Sequence, residues 1–579
     1  MRSIFAALVV FAIALLTSCS PVPHSSPPIA SPTSMAHAHI PTTPLAESTV
    51  SGTVVDASGA PLRGATVRVQ ATANATRTDE AGRFVLAGLE AGAPVTISAW
   101  AEEYYCAKAE GVVPPGDGLV LSLHPYQVSD NPDYAWVPPT GEGSCYSCKS
   151  AVTQVWLEND AHARSATNLR FLTMYNGTDI HGNASPLTRY AFVRDYGRFP
   201  LRPDPEQSYY GPGYRLDFPQ TVGNCAACHT PGPAIATPYG VDPNTVTGVD
   251  TFGIHCDFCH KIADVTLDPE SRLPYPNMPG VLSMDIRRPF PEGPERFQLF
   301  FGTFDDDNVP EEDTCLPLIE ESAFCAPCHF GVFWDTVVYN SYGEWLDSPY
   351  SDPAFEGART CQECHMPAPT ILDGQPITNV APDAGGVTRD PMTIHAHTFP
   401  GAASEELLQN ALTMEVEAQR EADAVVVEVT ITNDRTGHHV PTDSPLRHLI
   451  LLVQAAEASG RDLLLTDGPA LPDWCGIGDP TDGYYAGLPG KAYARVLQEL
   501  WTEIAPTGAY WNPTRELSDT RLAVFAADTT RYRFAAPESS GPIAVEVTLL
   551  FRRAFIDLMD QKGWDVPDII MEIETVSVP

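Results

Sequence analysis

Four stretches of this 579-residue chain read Cys-x-x-Cys-His: Cys225-Ala-Ala-Cys228-His229, Cys256-Asp-Phe-Cys259-His260, Cys325-Ala-Pro-Cys328-His329 and Cys361-Gln-Glu-Cys364-His365. A fifth, Cys145-Tyr-Ser-Cys148-Lys149, comes first and carries lysine at the histidine position. Two thiols at this spacing can add across the vinyl groups of a porphyrin while the adjacent imidazole reaches the iron, so the motif is the attachment sequence for c-type haem. With 14 cysteines and 16 histidines available, chance supplies about 0.01 copies of it. The expectation is five haem c groups, or four if the Cys145–Lys149 motif carries none. Lys149, His229, His260, His329 and His365 are then the proximal ligands.

A six-coordinate haem needs a second axial ligand. Between residues 127 and 450 eight further histidines are available: His162, His181, His255, His395, His397, His438, His439 and His448. His255 directly precedes the third motif. For His181 and His448 a structural role competes with ligation. Only 31 residues separate Cys225 from Cys256, and 36 separate Cys325 from Cys361. Macrocycles tethered so closely must be neighbours, as serial electron transfer requires.

The elements that must hold these residues fall into blocks. The expected class is multidomain: a small β-sandwich over residues 48–126, a mostly α or irregular multihaem domain over 140–405, and a β-rich C-terminal part over 406–579. Thr49–Asp56 and Ala65–Val69 alternate as strands do, with turn residues at Ser58-Gly59-Ala60-Pro61 between them. Thr78-Asp-Glu-Ala-Gly-Arg-Phe84 reads as a turn entering a third strand. Residues 404–420 have helical composition with Ser404 as N-cap. Ala424–Thr432, Leu449–Ala455 and Ile543–Phe551 read as strands. The 55 prolines indicate much irregular structure. The acidic run Asp305–Asp313 lacks the spacing of a calcium loop and reads as a solvated loop. Arg194, Arg198 and Arg202 form no recognisable substrate pattern.

Ser51-Gly-Thr-Val-Val-Asp56, Pro61-Leu-Arg-Gly-Ala-Thr-Val67 and Thr78–Phe84 resemble carboxypeptidase-regulatory-like domains. That resemblance implies a transthyretin-like β-sandwich without catalysis. From about residue 140 to 579 the chain resembles multihaem cytochromes related to the nitrifiers' tetrahaem electron carrier and to hydroxylamine oxidoreductase. The matching features are Trp156 and His162-Ala163 after the first motif, Tyr342-Gly-Glu-Trp345-Leu-Asp-Ser348, Cys364-His-Met-Pro367, His397-Thr-Phe-Pro-Gly401 and Gly437-His-His-Val-Pro-Thr442. The resemblance implies closely paired, bis-histidine haems. It also implies that His162, one of His395 and His397, and one of His438 and His439 are distal ligands.

Lys149 admits a second reading. The motif order resembles that of pentahaem nitrite reductases, in which a lysine-bound haem keeps an open face for substrate. No Lys-x-Gln-His stretch such as surrounds that family's catalytic histidine is present. A reductase of nitrite, hydroxylamine or a sulfur oxyanion would make Lys149 the proximal ligand at the active site, with His181, Arg164 and Tyr146 as substrate-facing candidates. The leading expectation is an electron relay between redox partners.

The chain begins Met1-Arg2-Ser3, followed by an apolar run from Ile4 to Leu16 and then Thr17-Ser18-Cys19. This predicts an export signal over 1–18 of lipoprotein type, with Cys19 lipidated; an ordinary signal peptide cleaved nearby is the alternative. Residues 19–47 form a Pro- and Ser-rich tether. The expected location is exported: periplasmic, or on the outer membrane or cell surface, with the membrane reached through the lipid. Acidic residues outnumber basic ones by 73 to 34, a net charge of −39. Such a surface repels nucleic acid and suits a basic redox partner. An oligomer or filament is compatible. Cys106, Cys315 and Cys475 remain outside the motifs, and a Cys315–Cys475 disulfide is one possible pairing.

Overall fold

The computed structural model describes residues 47–195, 197–202, 206–293, 298–310, 312–537 and 541–579. The expected export signal, Cys19 and most of the tether lie outside them.

Seven strands open the described chain: β1 (Glu47–Asp56), β2 (Thr66–Val69), β3 (Ala75–Arg77), β4 (Arg83–Glu90), β5 (Val95–Trp100), β6 (Ala107–Val112) and β7 (Gly116–Leu123). They form two sheets, ordered β4-β1-β7 and β3-β2-β5-β6. Alternate residues turn inward, so Val50, Val54, Val67, Phe84, Leu86, Ile97, Leu121 and Leu123 make one buried core. Gly52 lies where β1 meets β7, and a Cβ there would stand 2.0 Å from the Leu119 carbonyl oxygen. No side chain fits that crossing.

The middle of the chain is irregular, with much less helix than expected. The longest helix among the described residues is Ser150–Asn159, and strands occur as two-stranded ribbons such as Ile262–Val265 with Met284–Ile286. Prolines break the helices, and the buried apolar clusters here are small.

The C-terminal part is a second sandwich. One sheet holds Thr413–Arg420, Ala424–Thr432, Ala527–Ala535 and Leu465–Asp467. The other holds Thr514–Asp519, Gly490–Glu499, His448–Glu457, Ile543–Arg552 and Ile569–Val578. Val425, Val427, Leu449, Leu451, Val545 and Val547 meet between them. The helix expected over 404–420 stops at Gln409. Thr413–Arg420 pairs instead with Ala424–Thr432 over eight residues, because Met414 gains a buried place facing the sandwich core.

The acidic run is not a solvated loop. Asp306, Asp307 and Asn308 are buried, and the run is a joint between the first sandwich and the haem-motif region. Arg68 pairs with Asp305 at 2.5 Å, Lys108 with Asp307 at 3.2 Å and Arg389 with Asp306 at 3.1 Å. The Gln70 amide donates to the Asp307 carbonyl and the Trp100 indole to Thr314. Arg202 is also structural: with Asp217 and Glu499 it forms a buried ion-pair group that ties the middle region to the second sandwich. Trp511 and Asn512 each donate to Asp217 at 2.8 Å.

Candidate haem-binding site

Four motifs sit on short helical turns, Cys145–Cys148, Ala226–His229, Cys256–Cys259 and Cys361–His365, and the Cys325–His329 motif begins where the turn Ser322–Cys325 ends. A turn of helix brings i and i+3 to one face, so both thiols of a motif project together. Thr360 and Glu363 cap the last turn reciprocally. The motifs are contiguous in space. The thiols of Cys145 and Cys256, of Cys228 and Cys328, and of Cys325 and Cys361 lie near enough to shift one another's ionisation. The thiols of Cys106, Cys315 and Cys475 are free, so the Cys315–Cys475 bridge is not formed.

Three motif histidines face a second imidazole. The ring centroids of His260 and His397 are 6.3 Å apart, as are those of His329 and His162, and those of His365 and His438. Two imidazoles bound on opposite sides of one metal ion, with metal–nitrogen bonds of about 2.0 Å and centroids about 1.1 Å behind the nitrogens, stand about 6.2 Å apart. The three pairs therefore leave room for one ion each. Among the described residues no three His, Cys, Asp or Glu side chains gather into a metal cage. The donors come as opposed pairs, which suits a macrocycle supplying the other four ligands.

The far nitrogens are fixed as ligating imidazoles require. Nδ1 of His365 lies 2.7 Å from the Pro400 carbonyl, that of His397 3.1 Å from the His395 carbonyl, and that of His438 2.9 Å from the His439 carbonyl. Nδ1 of His260 meets the Phe301 carbonyl, and that of His162 lies 3.0 Å from Asp160. A carbonyl can only accept, so each ring bonded to one puts its proton on Nδ1 and bares the Nε2 lone pair. Burial pushes His365 and His397 down to about 4 and His260 to about 3, which keeps them neutral.

The remaining candidates are placed otherwise. His439 turns to Glu344, with Nδ1 3.5 Å from its carboxylate. His395 holds the Met366 carbonyl at 3.1 Å. Nδ1 of His255 accepts the Phe258 N–H at 3.2 Å, and its buried Nε2 has no partner. His448 is wedged between Trp474 and Phe555. His181 and Arg164 are exposed, as is Tyr146. Lys149 Nζ lies 3.8 Å from Asp313 and 4.5 Å above the Phe300 ring, whose face also stacks on His260. Sequence reading missed Phe301 and Pro400, because a backbone carbonyl carries no residue signature.

Comparison with known proteins gives two kinds of match. The model of the carboxypeptidase regulatory-like domain matches residues 49–124, the first sandwich. Among solved structures, a penta-heme cytochrome c552 from Thermochromatium tepidum aligns with a TM-score of 0.48 at 17% identity, over 75% of this chain and 97% of that one. A type II cohesin–X-dockerin complex from Acetivibrio cellulolyticus aligns with a TM-score of 0.12 at 17% identity, over 19% of this chain and 71% of that one. No curated protein matches.

Proposed function

We propose that this chain is an exported pentahaem c-type cytochrome that relays electrons between redox partners through closely spaced, mostly bis-histidine haems. The observation that carries this reading is the three imidazole pairs, each joining one motif histidine to a histidine far along the chain. When bound, haem c supplies a one-electron redox centre at each motif. Cys145, Cys148, Cys225, Cys228, Cys256, Cys259, Cys325, Cys328, Cys361 and Cys364 hold the macrocycles. His260 with His397, His329 with His162, and His365 with His438 would hold three of them. His229 would serve a fourth from one side, and Cys145 and Cys148 would hold the fifth. The closeness of thiols between motifs keeps neighbouring groups within reach of one another. The motif resemblances support, for the region from about residue 140, a relation to the nitrifier and hydroxylamine oxidoreductase cytochromes.

Export fits the same reading, because covalent haem attachment is an extracytoplasmic event. Cys19 is the proposed lipid anchor, holding the protein at a periplasmic or outer-membrane surface. Lys149 does not favour the reductase reading: a carboxylate and an aromatic face, both complementary to a cation, surround an amine that could bind iron only through a free lone pair. The test is the intact mass of protein made in a host able to attach haem c. Five haem additions, plus the lipid at Cys19, are expected. A colourless product, or zinc in the thiols, would sink the proposal.

A further inference from the structure

The last haem motif differs from the other four in reaching the surface. Of the ten motif cysteines only Cys364 is exposed, and Glu363 beside it is exposed as well. Next to this motif lies a cluster of three rings drawn from two distant parts of the chain. Tyr350 stacks on Phe525 with centroids 5.6 Å apart and planes 21° from parallel. Phe355 stands edge-on to both, at 5.6 Å from Tyr350 and 6.0 Å from Phe525. Phe525 is 46% exposed and holds a φ of +59°, the left-handed region that a bulky side chain adopts only at a cost. A strained backbone that turns an aromatic ring into water marks a surface kept for contact.

Hydrogen bonds fasten these rings to the ligands of the last motif. The Phe525 N–H donates to the Asn433 carbonyl at 2.7 Å, and the Asn433 side-chain amide donates to the His438 carbonyl at 2.9 Å. On the other side, the Arg359 N–H donates to the Tyr350 carbonyl at 3.1 Å, and the Arg359 carbonyl accepts the Trp345 indole N–H at 2.8 Å. The next residue, Thr360, caps the helix Cys361–His365. A Cβ on Gly437 would stand 3.2 Å from Trp345 and 3.6 Å from Tyr350, so the strand of chain that delivers His438 to His365 lies against the same rings. The rim of the cluster is acidic: Asp347, Asp352, Glu356, Glu363 and Asp434 are exposed, against Arg359 and Arg435. An apolar centre inside a rim of one charge divides the work of an interface, the centre shedding water and the rim steering approach.

We propose that the rings of Tyr350, Phe355 and Phe525, with their acidic rim, form the docking face for a basic electron-transfer protein, which exchanges electrons with the haem carried by Cys361–His365. This rests on the haem loading proposed above and adds to it the place of exchange. One electron leaves this site as the partner's redox centre gains it; no bond forms or breaks and no proton moves. A second copy of this chain does not fit the face, because it would bring the same acidic rim against its own.

The experiment mixes reduced holoprotein with ferric mitochondrial cytochrome c, a strongly basic haem protein, in stopped flow at low salt, with haem number taken from intact mass. Phe525→Gly removes the ring while relaxing the left-handed backbone, so the fold is not at risk. It should lower the second-order rate constant by about threefold or more. Asp347→Lys with Glu356→Lys should lower it by about tenfold or more. Glu80→Lys with Glu90→Lys, on the first sandwich, makes the same change in net charge elsewhere and should alter the rate by less than about twofold. Protein carrying five haems overturns the proposal if it fails to react with the probe, or if the rate is unchanged in Phe525→Gly or in the first double variant. Equal slowing in the two double variants also overturns it, since the rate would then follow net charge alone. A colourless product overturns both proposals, and intact mass distinguishes that failure from the others.

Discussion

His438 and His439 are neighbours in sequence with different partners. His438 stacks toward His365 with rings 12° from parallel, whereas His439 joins Glu344, which Arg521 also grips at 2.7 Å. Replacing His438 by alanine should convert one low-spin haem to high spin in the resonance spectrum. Replacing His439 should leave the spin states alone and lower the melting temperature, because the buried Glu344 group loses a member. Lys562 makes a second residue-scale case. It is buried, donates to the carbonyls of Thr173, Thr178 and Pro212, and burial pushes it down to about 7. The unfolded chain binds this proton up to about pH 10.4, the folded chain only to about 7. Between those limits the unfolded state holds more protons, so stability should rise with pH from about 7 to 10. Lys562→Met should flatten that slope in denaturant titrations followed across the window.

At the scale of elements, the joint between the first sandwich and the haem-motif region concentrates buried charge. Asp306 is paired with Arg389 and also accepts the Ala71 N–H. Asp306→Ala leaves Arg389 buried without its carboxylate, a loss of about 3–5 kcal/mol, measurable as a lower unfolding midpoint with unchanged haem number. This joint also shows where the sequence was silent. Ala424–Thr432 announced itself through its apolar run, and the first sandwich through alternation and its turn residues. Asp305–Asp313 looked like surface because its composition is acidic, and only Arg68, Lys108 and Arg389, far apart in the chain, make its burial tolerable. The motif cysteines were legible because their spacing is local. The choice between His395 and His397 was not, since it depends on which ring the fold turns toward His260.

Over the whole molecule, the surplus of acidic residues gives a net charge of −39. Association with a basic electron-transfer protein should slow by about tenfold or more between 10 mM and 500 mM salt in stopped-flow measurements. An acidic partner should show no such dependence. The proposed ligand pairs also have a consequence for assembly. They join positions 167, 137 and 73 residues apart (162 to 329, 260 to 397, 365 to 438). Each is a tie across a long loop, and closing loops of that length is an entropic cost that metal coordination offsets. The two sandwiches have apolar cores and can form unaided, whereas the segment between them cannot settle until its cofactors are in place. Chain maturation should thus run from both ends inward, with protease susceptibility confined to the middle until the last iron is seated.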